Sequence, residues 1–263
     1  MPDSLDKENG ASMTNVIPAS QQRRQARRAI TASRDTLQER VRRRLTDMIL
    51  DGEIVPGKLI TIRNLAASFE VSTMPVREAL RSLVAANALA VVFGRSVGVP
   101  PLSVERLSDL RSVRGVVEGT AAAWAAARAK NADLALLEQE LVRLNVAVAA
   151  GDIKGYLQGN RAFHFGIYRA AGSPALFGTI ESLWLQISPY FNLLSATEKY
   201  RSSNIRHKSM LHALRARNPE KARQFVVDDI EAGYTQLLDY VTKFELLTGN
   251  EALTPTTVDR SIR

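Results

Sequence analysis

Between residues 36 and 100 the apolar positions predict three helices followed by a β-hairpin. From residue 36 to residue 49 the apolar residues recur at helical spacing. Glycine and proline residues break that pattern in the stretch DGEIVPGKLI (51–60). A shorter helical stretch, TIRNLAASF (61–69), follows with its apolar residues on one face. The pattern therefore predicts two helices, separated by a loop, before residue 70.

The stretch VSTMPVREAL predicts the start of the third helix. Proline is tolerated in a first helical turn, where its missing N–H would have no partner, so Pro75 fits there. The hydroxyl of Ser72 or Thr73 is predicted to cap the helix by accepting backbone N–H groups. Apolar residues give the helix one buried face, and Arg77 and Arg81 lie one turn apart on the opposite, open face.

A Gly-Arg-Ser tip lies between β-forming residues in ALAVVFGRSVGVP (88–100), which predicts a hairpin. Two helices, a tight turn, a third helix and a hairpin give the order of a winged helix-turn-helix domain. The last helix of such a domain enters the major groove of DNA. Arg95, at the tip of the wing, would then reach the neighbouring DNA backbone or the minor groove.

After Pro100 and Pro101 the pattern is helical to about residue 247, without a strand signal. Turn-forming residues interrupt it five times, which predicts six helices. The expected fold class is therefore mainly α, with an N-terminal winged helix-turn-helix and a C-terminal all-α six-helix bundle. The predicted organisation is a disordered basic arm (1–33), a DNA-binding domain (34–100), a helical effector-binding and dimerisation domain (104–247) and a polar tail (248–263).

The net charge of +8 is unevenly distributed along the 263 residues. Residues 11–45 hold nine Arg against two acidic residues, Asp35 and Glu39, which favours contact with a polyanion such as nucleic acid. The alternative is a solvated tail that aids solubility. The chain has no cysteine, no apolar run near the length of a membrane span and no signal-peptide pattern at its start. We therefore expect a cytoplasmic protein without a membrane partner.

The segment PGKLITIRNLAASFEVSTMPVREALRSLVAANALAVVFGRSVGV resembles the DNA-binding domain of GntR-type bacterial transcription regulators, with many matches in one register. Three residues depart from the family pattern: Thr73 replaces the usual Arg, Met74 the usual Thr, and Ala88 the usual Gly. Threonine cannot make the bidentate contact of arginine with guanine, so the common operator of the family does not carry over. The residues predicted to contact DNA are Arg63, Ser72, Thr73, Met74, Arg77, Arg81 and Arg95.

The helical remainder resembles the ligand-binding domain of the FadR subfamily, called FCD. The stretch DLRSVRGVVEGTAAAWAAARA resembles its first helix, with Arg114 and Glu118 at the usual Arg-x-x-x-Glu positions. Two later stretches, NRAFHFGIYRAAGSPAL and RHKSMLHALRARNPEKARQFVVDDI, resemble its metal-binding helices. The resemblance implies a small organic acid as effector, with Arg114 and Glu118 as predicted binding residues.

Many FCD domains bind a divalent metal ion through an Asp, a His one turn later and two further His on the last two helices. The corresponding residues here are Asn160, His164, His207 and Asp229. Two imidazoles, a carboxylate and an amide oxygen suit Zn, Ni, Mn or Fe. Such an ion would anchor an effector carboxylate at its open coordination positions. The alternative is that the ion has been lost and that Asn160 and Asp229 hydrogen-bond the histidines or the effector directly.

Together these features predict a ligand-responsive transcription regulator, acting as a repressor, and not an enzyme. We expect a homodimer that binds a pseudo-palindromic operator in double-stranded DNA, with one recognition helix in each half-site. Binding of the organic acid to the helical domain would change the affinity for the operator. Two alternatives are an architectural DNA binder without effector sensing and a metalloenzyme fused to a DNA-binding domain. The sequence has no HExxH motif in support of the second.

Overall fold

The structure is a computed structural model, and it describes residues 36–56, 59–93, 96–195 and 203–248. The predicted basic arm, the wing-tip residue Arg95 and the predicted polar tail beyond Thr248 lie outside these residues. From Gln38 onward the chain forms one compact unit. Within the described part, no helix combines the length and the apolar character that crossing a membrane requires.

The first part of the chain folds as three helices and a two-stranded antiparallel sheet. Strand pairing aligns Ala90 with Gly98 and Val91 with Val97, and Ile60 adds an isolated bridge to Val97 from the loop after the first helix. This is the predicted winged helix-turn-helix arrangement. Its elements are α1 (Leu37–Leu50), α2 (Ile62–Ser68), α3 (Thr73–Ala85), β1 (Ala90–Phe93) and β2 (Ser96–Gly98).

The tight turn between α2 and α3 brings the two helices together. Thr61 caps α2 by accepting a hydrogen bond from the backbone N–H of Asn64 at 3.3 Å. Glu70 takes a left-handed conformation (φ 54°) between the helices. Ser72 is the cap residue of α3, but among the described residues its hydroxyl accepts no backbone hydrogen bond, so the predicted side-chain cap is wrong. The helix instead starts with Pro75 in its first turn, as predicted.

Apolar side chains from all three helices and the hairpin form the core of this DNA-binding head. The helical spacing noted in the sequence places them on the inner faces, while the arginines of α1 and α3 remain outside. The buried residues include Val41, Leu45, Ile49, Leu65, Ala66, Val76, Leu80, Leu83, Leu89 and Val97.

The second part of the described chain contains six helices, as the turn signals predict. Gly151 ends α5 in the left-handed conformation (φ 68°) that favours glycine, and Asp152 caps the next helix through the N–H of Gly155. The helices are α4 (Val104–Arg128), α5 (Asn131–Ala150), α6 (Ile153–Ala170), α7 (Pro174–Ser195), α8 (Ser203–Arg215) and α9 (Pro219–Thr248).

Helix α4 is the central element of this bundle and packs most extensively against α9. Small residues make the close approach possible, since α4 buries four alanines between residues 121 and 126. At Gly119 a Cβ atom would lie 3.2 Å from Arg223 Cγ and 3.3 Å from Val227 Cγ2. The close packing of α4 on α9 brings the polar residues of α4 next to Asp229 on α9.

Candidate effector site and DNA-binding face

Two buried histidines face each other inside the helical bundle. His164 lies on α6 and His207 on α8, and their Nε2 atoms are 3.2 Å apart. The two rings meet edge to face with their centroids 5.1 Å apart. The pair therefore joins two helices that are separated in sequence at one point of the core.

Asp229 on α9 completes a three-residue cluster with these histidines. Its Oδ2 atom lies 3.3 Å from His164 Nε2, and the ligand atoms of all three residues lie within 4.8 Å of one another. Its other oxygen, Oδ1, accepts a hydrogen bond from Arg206 Nε at 2.7 Å. One carboxylate oxygen is thus held by Arg206, and the other faces the histidines.

Hydrogen bonds at the far side of each ring determine which histidine nitrogen carries a proton. Glu118 accepts a hydrogen bond from the hydroxyl of Tyr168 at 2.5 Å, so the Tyr168 oxygen accepts from His164 Nδ1 at 3.1 Å. The amide oxygen of Asn204 accepts from His207 Nδ1 at 3.3 Å. Each ring therefore uses Nδ1 as a donor to its neighbour and directs Nε2 to the centre of the cluster.

The pKa shifts agree with unprotonated ligand atoms. Burial lowers the pKa of His207 to about 3 against the opposing attraction of Asp229, so His207 is neutral at pH 7. Burial would raise the pKa of Asp229, but its polar neighbours His164, His207 and Arg206 outweigh burial and lower that pKa, so Asp229 is an ionised carboxylate. The cluster therefore offers the Nε2 atoms of two imidazoles and one carboxylate.

The spacing of these atoms matches a metal coordination shell. A divalent ion with bonds of about 2.0–2.1 Å holds neighbouring ligand atoms about 2.8–3.0 Å apart in octahedral geometry and about 3.3–3.4 Å apart in tetrahedral geometry. The two measured separations, 3.2 Å and 3.3 Å, fall within the range that these two geometries span. Three groups with lone pairs directed at one point repel one another unless a cation or a proton lies between them, so the residues present fit a metal ion.

A cavity opens beside the cluster, and Asn160 lines it. We call it the effector cavity because Arg114, a residue that the sequence predicts to bind an effector, lines it, and the centre of a water molecule can reach about 70 Å³ of it. The amide of Asn160 has no hydrogen-bond partner in the part of the chain that the structure describes. The apolar part of the lining consists of Ile153, Tyr156, Leu157, Trp184, Phe191 and Ile230, and the polar part of Arg114, Asn160, His164, Arg206, Asp229 and Gln236.

Arg114 and Glu118 form a buried ion pair at one wall of the effector cavity. The Nε atom of Arg114 donates to Glu118 Oε1 at 2.6 Å. Glu118 also accepts from Tyr168 and from Trp184 Nε1 at 3.1 Å. Arg114 lines the cavity, whereas Glu118 is fully buried and is not among its lining residues. The predicted pair is thus split between a residue that can meet an effector and one that lies behind it.

Among the described residues that line the cavity, Arg206 is the charged one that the sequence pattern did not predict. It precedes His207 on α8, and its role depends on the packing of α8 against α9, which brings it to Asp229. The sequence does show that Arg206 precedes the candidate ligand His207. Sequence spacing alone does not reveal which carboxylate the arginine pairs with. The two cationic side chains of the cavity, Arg114 and Arg206, are therefore each paired with a carboxylate.

The predicted DNA-binding residues that the structure describes are all exposed. Arg77 has no hydrogen bond or ion pair within the described residues, whereas Arg81 donates to Glu78 at 2.9 Å, as expected for a glutamate that orients its neighbour. Arg95 lies outside the described residues. The exposed members of the predicted set are Arg63, Ser72, Thr73, Met74, Arg77 and Arg81.

A polar contact surface joins the head to the helical bundle between α1 and α6. Lys154 on α6 pairs with Glu53 at 3.0 Å. Arg161, two turns further along α6, pairs with Asp47 at 3.2 Å and with Asp51 at 2.8 Å. The C-terminal end of α1 and the loop after it therefore carry the acids, and α6 carries the bases.

Comparison with known proteins assigns both parts of the chain. The profile described as "Bacterial regulatory proteins, gntR family" matches residues 37–99, and the profile "FCD domain" matches residues 109–232. The HTH-type transcriptional regulator McbR of Escherichia coli (strain K12) is 31% identical over 180 residues, which are 67% of this chain and 81% of McbR. The matched domains are those of transcription regulators and not of enzymes.

Further relatives support the same assignment. A Paenarthrobacter nicotinovorans protein, "Probable D-xylose utilization operon transcriptional repressor", is 24% identical over 201 residues, 76% of this chain and 88% of that protein. The solved structure of E. coli McbR/YncC superposes with a TM-score of 0.74 at 28% identity, covering 79% of this chain and 99% of that one. A GntR regulator from Rhodococcus sp. RHA1 gives 0.65 at 25% identity, over 77% and 97% of the two chains. This chain therefore belongs to the GntR family of bacterial regulatory proteins, as a transcription regulator with a GntR DNA-binding domain and an FCD domain.

Proposed function

We propose that this regulator is a homodimeric repressor whose FCD domain binds a divalent metal ion and, on that ion, a small organic acid. The DNA-binding domain would span residues 34–100 and the effector-binding and dimerisation domain residues 104–247. The effector would change the affinity of the dimer for a pseudo-palindromic operator. We place the protein in the cytoplasm, where a bacterial regulator has access to the chromosome.

The convergence of three lone-pair-bearing atoms carries the metal proposal. His164 Nε2, His207 Nε2 and Asp229 Oδ2 point at one site, and both Nδ1 atoms are already used as donors. Asn160, on the same cavity wall and one turn before His164, would add an amide oxygen. A set of two imidazoles, one carboxylate and one amide suits Zn, Ni, Mn or Fe. A single shared proton is the competing explanation for the same cluster.

The charges around the effector cavity explain why a metal would be needed to bind an acid. Arg114 is neutralised by Glu118 and Arg206 by Asp229, while His207 is neutral. The protein groups alone therefore offer no net positive charge to an anion. A divalent ion supplies that charge and open coordination positions for a carboxylate. Arg114 would then orient the effector by hydrogen bonds from its guanidinium edge.

The remaining lining of the cavity restricts the body of the effector. Trp184, Phe191, Leu157 and Ile230 offer apolar contacts, and Gln236 and Asn160 offer the nearby amides. A carboxylic acid with an apolar or aromatic body satisfies this lining better than a polyhydroxylated acid, whose hydroxyl groups would be desolvated without partners.

Repression and dimerisation are proposed on the requirements of DNA binding. Two copies related by a two-fold axis present two recognition helices to half-sites about one helical turn of DNA apart. A related chain carries the word repressor in its name. Bound at a promoter, such a dimer excludes other proteins from the same DNA, and an effector that favours a second arrangement of the heads would release it.

Metal content of the purified protein tests the proposal. Untagged protein prepared without chelator should contain about one equivalent of Zn, Ni, Mn or Fe, and His164→Ala should contain none. His212→Ala is the matched control, because His212 is exposed on the same helix as His207 and should leave the metal in place. A panel of carboxylic acids should then raise the unfolding temperature only when the metal is present.

Absence of metal from the wild-type protein, even after incubation with Zn, Ni and Mn, would contradict the metal proposal. The cluster would then share a proton, and acids that stabilise the metal-free protein would bind Arg114 and the histidines directly. Equal metal content in the wild-type protein and in His164→Ala would place the ion elsewhere in the chain.

A further inference from the structure

The exposed face of α3 presents a mixed set of chemical groups to a DNA major groove. Thr73, Met74, Arg77 and Arg81 are all exposed and lie within a little more than two turns of this helix. Positions three and four apart share one helix face, so Met74, Arg77 and Arg81 follow one another along it. The face therefore offers a hydroxyl, a thioether and two guanidinium groups.

The two arginines of this face differ in their freedom to reach bases. Arg81 is held by an ion pair with Glu78, one turn earlier, at 2.9 Å. Arg77 has no such contact within the part of the chain that is described, so its guanidinium can extend to the base edges. Under the proposed function Arg77 is therefore the arginine that reads guanine, and Arg81 is placed to meet the DNA backbone.

Met74 is a large apolar side chain that this fold leaves 60% exposed. A single exposed apolar side chain is common on protein surfaces, so exposure alone carries no argument. The position of Met74 carries the argument. Met74 lies in the first turn of α3, and the N-terminal residues of a recognition helix contact base edges. Met74 is not part of the core of the head, because the buried face of α3 consists of Val76, Ala79, Leu80 and Leu83.

The major groove contains one kind of apolar group, the 5-methyl group of thymine. Met74 and Arg77 are three residues apart on one face of α3, so their side chains project from neighbouring points of that face and can reach adjacent base pairs. We propose that Met74 reads the methyl group of a thymine in a base pair next to the one that Arg77 contacts. This inference rests on the proposed function, because it takes α3 as the recognition helix.

Removal of one methyl group from the DNA tests this contact directly. The full-length protein is first used to select its tightest-binding duplex from a randomised pool. Each thymine of that duplex is then replaced by uracil, which lacks only the 5-methyl group. In each half-site, the thymine that matters should lie beside the base pair that Arg77 contacts. Replacing it by uracil should lower the affinity of the protein for the duplex about fourfold, the loss expected for one buried methyl group.

The same substitution should have no effect on Met74→Ala, because the methionine that contacts the methyl group is gone. Leu136→Ala is the matched control, since Leu136 is 59% exposed on α5 and should respond to uracil as the wild-type protein does. Met74→Ala removes no buried group, so its helical content and unfolding temperature should equal those of the wild-type protein.

Two results would overturn the inference while leaving the proposed function intact. One is a selected operator that has no thymine next to the base pair at which the Arg77→Ala variant loses its sequence preference. The other is an equal loss on uracil substitution in the wild-type protein and in Met74→Ala. Failure of the wild-type protein to select any sequence would overturn the proposed function as well, so the two failures are distinguishable.

Discussion

Glu118 is a carboxylate with no exposed surface, and two of its hydrogen-bond partners, Arg114 and Trp184, line the effector cavity. It accepts hydrogen bonds from Arg114, Tyr168 and Trp184, which belong to three different helices. Burial raises the pKa of Tyr168 well above its usual value, so its hydroxyl stays protonated and can donate to Glu118. The carboxylate thus holds Arg114 at the cavity, and through Tyr168 it fixes the tautomer of His164.

Replacement of Glu118 by Gln should destabilise the protein strongly. The variant keeps the shape but leaves the Arg114 charge buried without a counter-charge, which typically costs about 3–5 kcal/mol. Glu140→Gln is the matched control, because Glu140 pairs with the exposed Arg143 and such a pair contributes less than about 1 kcal/mol. Urea unfolding of both variants measures the difference, and equal free energies of unfolding would contradict this role of Glu118.

For individual residues, the sequence predicts which side chains come together but not which hydrogen bonds and ion pairs they form. The spacing of the predicted metal ligands brings His164, His207 and Asp229 into one cluster and Asn160 to the wall of the adjoining cavity, because it reflects which helix faces turn inward. The contact of Arg206 with Asp229 depends on how α8 packs on α9, and no local pattern encodes that packing. The place of Glu118 behind Arg114 depends on rotamers chosen by Tyr168 and Trp184.

Helix α3 is the proposed recognition helix, and its two ends follow from local chemistry. Pro75 in the first turn and the left-handed Glu70 before it separate α3 from α2. The proline is a signal in the sequence, whereas the conformation of Glu70 is not, because a positive φ is uncommon for a residue with a side chain. The predicted cap by Ser72 is wrong because a cap position does not guarantee a side-chain hydrogen bond. Helix counts were predictable because glycine and proline mark the ends, whereas crossing angles depend on long-range packing.

Loss of Arg77 should remove sequence discrimination from this helix. A dimer loses two bidentate guanine contacts in Arg77→Ala, each with about 1–3 kcal/mol of discrimination, so its affinity for the selected operator should fall to that for random DNA. Arg81→Ala is the control, and it should weaken binding to both duplexes alike, with a smaller salt dependence. Fluorescence anisotropy at fixed salt measures both affinities.

Dimerisation should be unchanged in Arg77→Ala, because Arg77 is exposed on the head and the dimer is proposed to form through the helical domain. Sedimentation of the free protein checks this. A variant that still discriminates the operator from random DNA would mean that α3 is not the recognition helix. A wild-type protein with equal affinity for all duplexes would instead support a purely architectural DNA binder.

At the scale of the whole molecule, α6 connects the effector cavity to the DNA-binding head. One side of α6 provides Asn160 and His164 to the cavity, and another side provides Lys154, Gln158 and Arg161 to acids of the head. A shift of α6 on effector binding would therefore move or break these contacts. Ion pairs that have two alternative arrangements can carry a coupling free energy between distant sites.

A second connection runs through α7. Trp184 and Phe191 on α7 line the cavity, and Gln186 on the same helix accepts a hydrogen bond from Arg106 at 3.3 Å. Arg106 also donates to the backbone oxygen of Asn87, two residues after the end of α3, at 3.1 Å. The hydroxyl of Tyr190 donates to the carbonyl of Pro100 in the segment that joins the two domains. Of the helices that line the cavity, α6 thus contacts the head directly, and α7 is connected to it through Arg106 on α4.

Arg161→Gln should uncouple effector binding from DNA binding. Arg161 is mostly buried and bridges Asp47 and Asp51, so its loss removes the central contact between α6 and α1 without touching the cavity. The carboxylic acid that gives the largest thermal shift in the wild-type protein should shift Arg161→Gln equally. Its effect on operator affinity, about 5–150-fold for a typical coupling of 1–3 kcal/mol, should shrink to less than about twofold.

Lys154→Gln is the matched control for this coupling, because Lys154 forms an exposed pair with Glu53 on the same helix. Exposed pairs contribute little, so this variant should keep the full response of operator affinity to the acid. A full response in Arg161→Gln as well would mean that the signal passes through α7 and Arg106. The matching variant Arg106→Gln would then lose the response, because Arg106 contacts both the cavity helix and Asn87, two residues after the end of α3.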